Sequence, residues 1–211
     1  MQDYQKLEQA MVDLDEQTVL DMMQSVADGN GDATEALEAC QKGMEAVGRL
    51  YESGEYYIPD LIFSGEVMSK AVEIIKPLLA ASGTEGLGKL LLCTVKDDLH
   101  DIGKNIVKSM LDAAGFEVID LGIDVAPELI VQTAKEQGIK IIALSGLLSL
   151  AIGSMKATVD SLTEAGIRGD VKIILGGNPV NDETCRLVGA DDWAFSPHKG
   201  VEICKAWALG A

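Results

Sequence analysis

Lys89-Leu90-Leu91-Leu92-Cys93-Thr94-Val95 runs directly into Lys96-Asp97-Asp98-Leu99-His100-Asp101-Ile102-Gly103. The first of these segments is mostly apolar and reads as a strand buried on both faces, as a parallel sheet requires. The second places an imidazole, a carboxylate two residues upstream and a permissive glycine just beyond that strand. Imidazole ligates several transition metals, and a ligating histidine commonly hands its other ring N–H to a carboxylate that fixes its tautomer. His100 is thus a candidate metal ligand and Asp98 its orienting partner. Taken alone, the D-x-H-x-x-G spacing equally admits Asp98 as the cap of a helix beginning near Gly103 and His100 as an ordinary loop histidine.

Downstream the chain alternates. Apolar runs at residues 118–121, 139–144, 171–175 and 193–195 are separated by helical stretches near 104–114, 127–137, 152–165 and 182–187, with a last helix from residue 199. Alternating β and α elements imply a flavodoxin-like, doubly wound, parallel five-stranded sheet with right-handed crossovers. Ligands of such sheets bind beyond the carboxyl ends of the strands, near the point where strand order reverses. Two more unusual segments fall there: Ser145-Gly146-Leu147-Leu148-Ser149 after the third strand and Gly176-Gly177-Asn178-Pro179 after the fourth. The glycine pair suits either a simple turn or close approach of a ligand, and Ser145 either a backbone group or a ligand heterocycle.

Residues 1–82 carry helical periodicity with almost no strand signal. Helices are expected near residues 4–12, 16–27, 33–53 and 59–81, as a small antiparallel bundle, with Asp32 as a cap and Pro59 as a first helical residue. The Gly-rich residues 83–88 read as a linker, so the expected domains are a helical 1–82 and a sheet-containing 89–211.

Composition narrows the function classes. Seventeen basic against 34 acidic residues, a formal charge of −17, would repel a phosphate backbone or an anionic bilayer. The longest uncharged stretch, residues 141–155, is interrupted by Ser145, Gly146, Ser149 and Gly153 and falls short of the roughly 20 apolar residues of a membrane span. The first residues lack a secretory pattern, so a cytoplasmic location is expected. Cys40, Cys93, Cys185 and Cys204 form no C-x-x-C pair and read as reduced, mostly buried thiols. Two histidines, His100 and His198, are too few for an all-protein transition-metal cage, so further ligands of a metal on His100 would come from a cofactor.

D-x-H-x-x-G, S-x-L and G-G, in that order on a flavodoxin-like sheet behind a helical bundle, resemble the cobalamin-binding module of methionine synthase and its corrinoid-protein relatives over essentially the whole chain. Residues 94–105, T-V-K-D-D-L-H-D-I-G-K-N, are especially similar to the corrinoid proteins of anaerobic methyltransferase systems. The resemblance implies a cobalamin or related corrinoid with His100 as the lower axial ligand of cobalt. Asp98, Asp101, Ile102 and Gly103 would complete the ligand loop. Ser145 would bond the buried nucleotide base, Leu147 wall its slot, Ser149 offer a polar contact, and Gly176 with Gly177 let the tail pass. Tyr57, Leu61 and Met68 would shield the upper face of the corrin.

The resemblance further implies a non-catalytic methyl carrier in one-carbon metabolism, its cobalt cycling between Co(I) and methyl-Co(III). A donor-specific methyltransferase would load it, a second methyltransferase would unload it, and a reductive activase would restore it. Many relatives have Gly where this chain has Asp97. Methionine synthase has a serine, completing a His-Asp-Ser relay, where this chain has Ala151. Two other cobalamin classes fit less well. A cobalamin-dependent sensor carries a bundle tryptophan, whereas Trp193 and Trp207 lie far downstream, and the small subunit of an adenosylcobalamin mutase normally lacks the helical cap.

Overall fold

Asp3, Asp15 and Asp32 each start a helix. Their carboxylates accept the backbone N–H of Lys6 (3.1 Å), of Thr18 (3.2 Å), and of both Thr34 (2.8 Å) and Glu35 (3.0 Å), which relieves orphan donors of the first turn. The helices that follow are α1 (Tyr4–Val12), α2 (Glu16–Ser25) and α3 (Ala33–Ser53). The fourth, α4 (Ile58–Ser82), begins one residue before Pro59, and the Asp60 carboxylate in its first turn accepts the Tyr57 N–H at 2.7 Å. The second helix is shorter than its periodicity predicts. It gives way at Val26–Asn30 to a single π-helical turn in which Gly29 takes φ +91°.

The computed structural model describes residues 3–82 and 86–210, which fall in two compact units: 3–82 and 86 with 112–114, and 87–111 with 115–210. In the first unit α3 packs against α1 and α4, and α2 against α4. Its buried side chains include Leu7, Met11, Val19, Met23, Val47, Leu61, Met68 and Ile75. Each fully buried Leu, Ile or Met contributes about 1.5–3 kcal/mol. Two tyrosines tie the ends together: Tyr56 donates to the Val12 carbonyl at 2.7 Å, and the Tyr4 hydroxyl accepts from the Asp32 N–H at 2.6 Å.

The second unit holds strands β1 (Lys89–Thr94), β2 (Glu117–Asp120), β3 (Ile141–Ser145), β4 (Lys172–Gly176) and β5 (Asp192–Ala194). All pairs are parallel, in the order β2-β1-β3-β4-β5. That is the flavodoxin-like order, whose switch point lies between β1 and β3. The crossover helices are α5 (Ile102–Ala114), α6 (Pro127–Gln137), α7 (Ala151–Glu164) and α8 (Asp182–Val188), and α9 (Pro197–Ala208) follows β5. Leu91, Cys93, Ile142, Leu144, Ile173 and Leu175 share a core with Ile130, Met155, Val159, Leu162 and Val188. The intervening residues Leu90, Leu92, Ile141, Ala143 and Ile174 are buried too, which is why these strands read as continuous apolar runs.

Helix starts are where the pattern is least informative. The helices expected from residues 104 and 199 begin at Ile102 and Pro197, because Asp101 and Ser196 occupy the capping positions before them. Of the expected linker, residues 83–85 lie outside the described residues, and 86–88 are irregular. Among the described residues no helix is long and apolar enough to cross a membrane, and the four cysteines are free and buried.

Candidate functional site

Register assembles the site. Thr94 of β1 lies opposite Ser145 of β3, Ser145 opposite Gly176 of β4, and Gly176 opposite Ala194 of β5. The loops carrying His100, Leu147 and Gly177 therefore leave from one transverse row at the carboxyl edge of the sheet, two of them flanking the switch point.

Asp98 is fully buried behind these loops, while the His100 side chain is 46% exposed. The Asp98 Oδ1 accepts the His100 backbone N–H at 3.0 Å and faces the His100 Nδ1 at 3.1 Å. Its Oδ2 accepts from the backbone N–H groups of Leu147 (2.7 Å) and Leu148 (3.2 Å). Burial pushes the Asp98 carboxyl up, but the N–H groups of His100, Leu148 and Leu147 and the imidazole together outweigh it and hold it below the ordinary carboxylate range. An ionised carboxylate only accepts hydrogen bonds, so Nδ1 is a protonated nitrogen, and in the neutral ring the lone pair sits on Nε2. Nε2 has no hydrogen-bond partner among the described residues. Asp98 thus does not cap α5.

Asp101 and Ile102 open α5. The Asp101 carboxylate is exposed and accepts from the Asn105 side chain at 3.1 Å, and Ile102 is exposed. A side chain at Gly103 or at Gly176 would meet only open space. Gly177 is different, for at φ +113° its Cβ would stand 2.0 Å from the Gly146 carbonyl oxygen, and the Gly146 N–H donates to the Gly176 carbonyl at 3.1 Å. Only glycine satisfies both conditions. Ala151 packs against Gly146 in turn, a Cβ on Gly146 lying 2.4 Å from that of Ala151, so the residue that stands in place of a relay serine is a buried spacer.

Ser145 is half-buried, and its hydroxyl has no partner among the described residues, whereas Ser149 is exposed. Leu147 is exposed, and sequence reasoning overlooked several apolar neighbours: Leu99, Leu148 and Leu150 on the same loops, and Phe195 just beyond β5, are also exposed. An apolar side chain in a loop that leaves a strand end was the signal available for them. In the helical unit Tyr57 is exposed, but Leu61 and Met68 are 1% and 0% exposed. Those two lie in the core, whereas Tyr57 has surface to offer a ligand.

No group of three or more His, Cys, Asp or Glu side chains that would hold a bare metal ion exists among the described residues. One outward-facing imidazole, exposed apolar side chains, an unpartnered hydroxyl and open space at glycines instead fit a large, mostly apolar macrocycle whose metal brings its other ligands with it.

Comparison with known proteins agrees. Residues 88–201 match a family model described as a B12 binding domain, and residues 4–76 match a second model of the same description. The chain is 36% identical over 207 residues to trimethylamine corrinoid protein 1 of Methanosarcina mazei, covering 97% of this chain and 96% of that one. A crystal structure of a cobalamin-binding protein from Desulfitobacterium hafniense superposes with a TM-score of 0.87 at 46% identity, covering 97% of this chain and 98% of the other. The methanol:cobalamin methyltransferase complex of Methanosarcina barkeri contains a chain matched at TM-score 0.80 and 26% identity, over 97% of this chain and 79% of that one. A histidine held by a buried carboxylate at the switch point, on a chain matched over most of its length by both models, leads to one conclusion: this chain belongs to the B12-binding corrinoid proteins.

Proposed function

We propose that this chain is the corrinoid methyl carrier of a methyltransferase system, binding a cobalamin-type cofactor on the sheet edge with His100 as the axial ligand. The observation that carries the reading is the Asp98-His100 pair, in which every hydrogen bond to the carboxylate favours an imidazole with its lone pair on Nε2. When bound, the cofactor supplies a cobalt that takes up and gives back a methyl group. His100 would meet that cobalt from one side, and Asp98 would orient the ring and raise its basicity. Ser145 offers a free hydroxyl to a buried heterocycle, and the open space at Gly176 leaves room for a chain to pass, while Gly177 lets its loop close on Gly146.

Methyl donor and acceptor would be activated on partner proteins. A donor-specific methyltransferase would load the carrier, a second would unload it, and a reductive activase would restore it. The relatives named for trimethylamine and for methanol support a donor of this small one-carbon class. The test is to load the chain with cobalamin, reduce it and follow the absorbance of the corrinoid. The chain alone with a natural donor should show no turnover, and addition of a donor-specific methyltransferase should convert the spectrum. Repeated turnover by the isolated chain would make it an enzyme in its own right and overturn the carrier reading.

A further inference from the structure

The loop that carries His100 is held from the side by a different loop. Val95 to Asp98 form a tight turn, closed by the Asp98 N–H donating to the Val95 carbonyl at 3.1 Å. Asp97, its third residue, has φ +67°, a conformation that such turns usually reserve for Gly or Asn. The Asp97 N–H donates to the Asp124 Oδ1 at 2.8 Å, and the Lys96 ammonium meets the same oxygen at 2.7 Å. Asp124 lies between β2 and α6 and has φ +54°. A second tie runs beneath: the fully buried Thr94 hydroxyl donates to the Asp98 carbonyl at 2.6 Å and accepts the Asp124 N–H at 3.0 Å. The Asp124 N–H also lies 3.1 Å from the Asp98 carbonyl oxygen.

These bonds fix both peptide groups around Asp97, and the residue after them is Asp98. The position of the carboxylate that orients His100 therefore depends on an acceptor from another loop. The Lys96 ion pair and the Asp97 N–H hold the Asp124 carboxyl below its ordinary range, so it faces the amide as an anion. The side chains are exposed by 39% at Asp124 and 46% at Lys96, so the ion pair itself adds little. The charge-assisted bond to the Asp97 amide, which is fixed in the turn, is the stronger element.

We propose that Asp124 is a positioning residue for the cobalt ligand, its carboxylate clamping the Asp97 amide so that Asp98 and His100 are presented in the ligating geometry. The proposal rests on His100 being the ligand. Groups that hydrogen-bond a metal ligand directly change metal binding by roughly 10–100-fold, and a group one step further out should reach the lower end of that range. Asp124→Gly removes the carboxylate while tolerating the positive φ, Asp124→Asn keeps an acceptor oxygen, and Lys96→Met removes only the ammonium.

Each variant, loaded with cobalamin and poised as Co(II), is read by electron paramagnetic resonance for the fraction of cobalt coupled to a protein nitrogen. Asp124→Gly should lower the ratio of histidine-bound to histidine-free cobalt about tenfold while still binding the corrinoid. Asp124→Asn and Lys96→Met should stay within about twofold of wild type. A wild-type ratio in Asp124→Gly overturns the proposal. If that variant does not fold, the Asp124→Asn, Lys96→Met double variant decides, since loss of coupling there would mean that charge and not the amide bond sets the loop. Failure of the ligand assignment itself would look different, because coupling would then survive in His100→Ala, where Asp124 is intact.

Discussion

Asp98 accepts the backbone N–H of Leu147 at 2.7 Å across 49 residues of sequence, joining the loop after β1 to the loop after β3. The same carboxylate holds the His100 ring at 3.1 Å through its other oxygen. The proposed ligand and one wall of the proposed cofactor slot are thereby positioned by one buried side chain. Substitution to Asn puts an NH2 group against N–H donors on one side or the other. Leaving one or two buried donors unpaired costs about 1–3 kcal/mol each. Asp98→Asn should therefore lower the unfolding free energy of the cofactor-free chain by about 1–6 kcal/mol, read as a lower midpoint in chemical unfolding. An unchanged midpoint would show that these bonds carry no net stability.

The pH dependence follows from the same group. Its folded carboxyl lies below the unfolded value of about 3.9, so the stabilisation is complete above that value and lost as pH falls through the folded one. Acid titrations of wild type and Asp98→Asn should diverge at neutral pH and converge at strongly acidic pH. Parallel curves over that whole range would remove Asp98 from the acid limb.

Gly177→Ala should be the most disruptive substitution in the loops. The added Cβ collides with the Gly146 carbonyl oxygen, a backbone atom, and the backbone there is at φ +113°. Strain and overpacking together amount to about 2–4 kcal/mol. Gly176→Ala meets open space and should cost less than about 1 kcal/mol. Equal melting temperatures for the two variants would contradict the close approach of these loops.

The departure at Asp97 has a backbone explanation. The family resemblance leads one to expect Gly there, and φ +67° is a conformation that Gly adopts freely and Asp tolerates. Asp97→Gly should leave both stability and histidine ligation within about 1 kcal/mol of wild type. Asp97→Val, which cannot relax in that region, should weaken both, as read by thermal melting and by cobalt–nitrogen coupling.

Lys104 and Asp120 form a pair of another kind. The Lys104 side chain is 2% exposed and its Nζ lies 2.6 Å from the Asp120 Oδ2. Asp120→Ala strands a buried ammonium and should cost about 3–5 kcal/mol. Lys104→Met leaves a carboxylate that is 21% exposed and can be hydrated, so it should cost clearly less. Equal losses would mean that the two charges are equally well solvated.

The elements were legible because burial on both faces gives long apolar runs: Leu90 to Cys93, Ile141 to Leu144 and Ile173 to Leu175 leave no helical period to compete. The motif residues were legible for the same reason, as polar or glycine exceptions at the ends of those runs. What escaped is the set of bonds between loops. Nothing local to Asp98 shows that Leu147 and Leu148 donate to it, and nothing near Lys96 indicates Asp124, because parallel register brings these residues together only after the sheet forms. Leu61 and Met68 show the opposite limit. Helical spacing cannot tell an inward residue from one facing a ligand, and here both are buried.

The most direct test of the central claim is to load the protein with ordinary cobalamin after labelling its histidines with the spin-one-half isotope of nitrogen, and to record the electron paramagnetic resonance of Co(II). With His100 as the ligand, the nitrogen splitting should change from triplets to doublets on labelling and vanish in His100→Ala. Triplets that persist in the labelled protein, or labelled doublets that survive in His100→Ala, would show that the cobalt takes its nitrogen from the cofactor's own base or from His198, and would contradict the account.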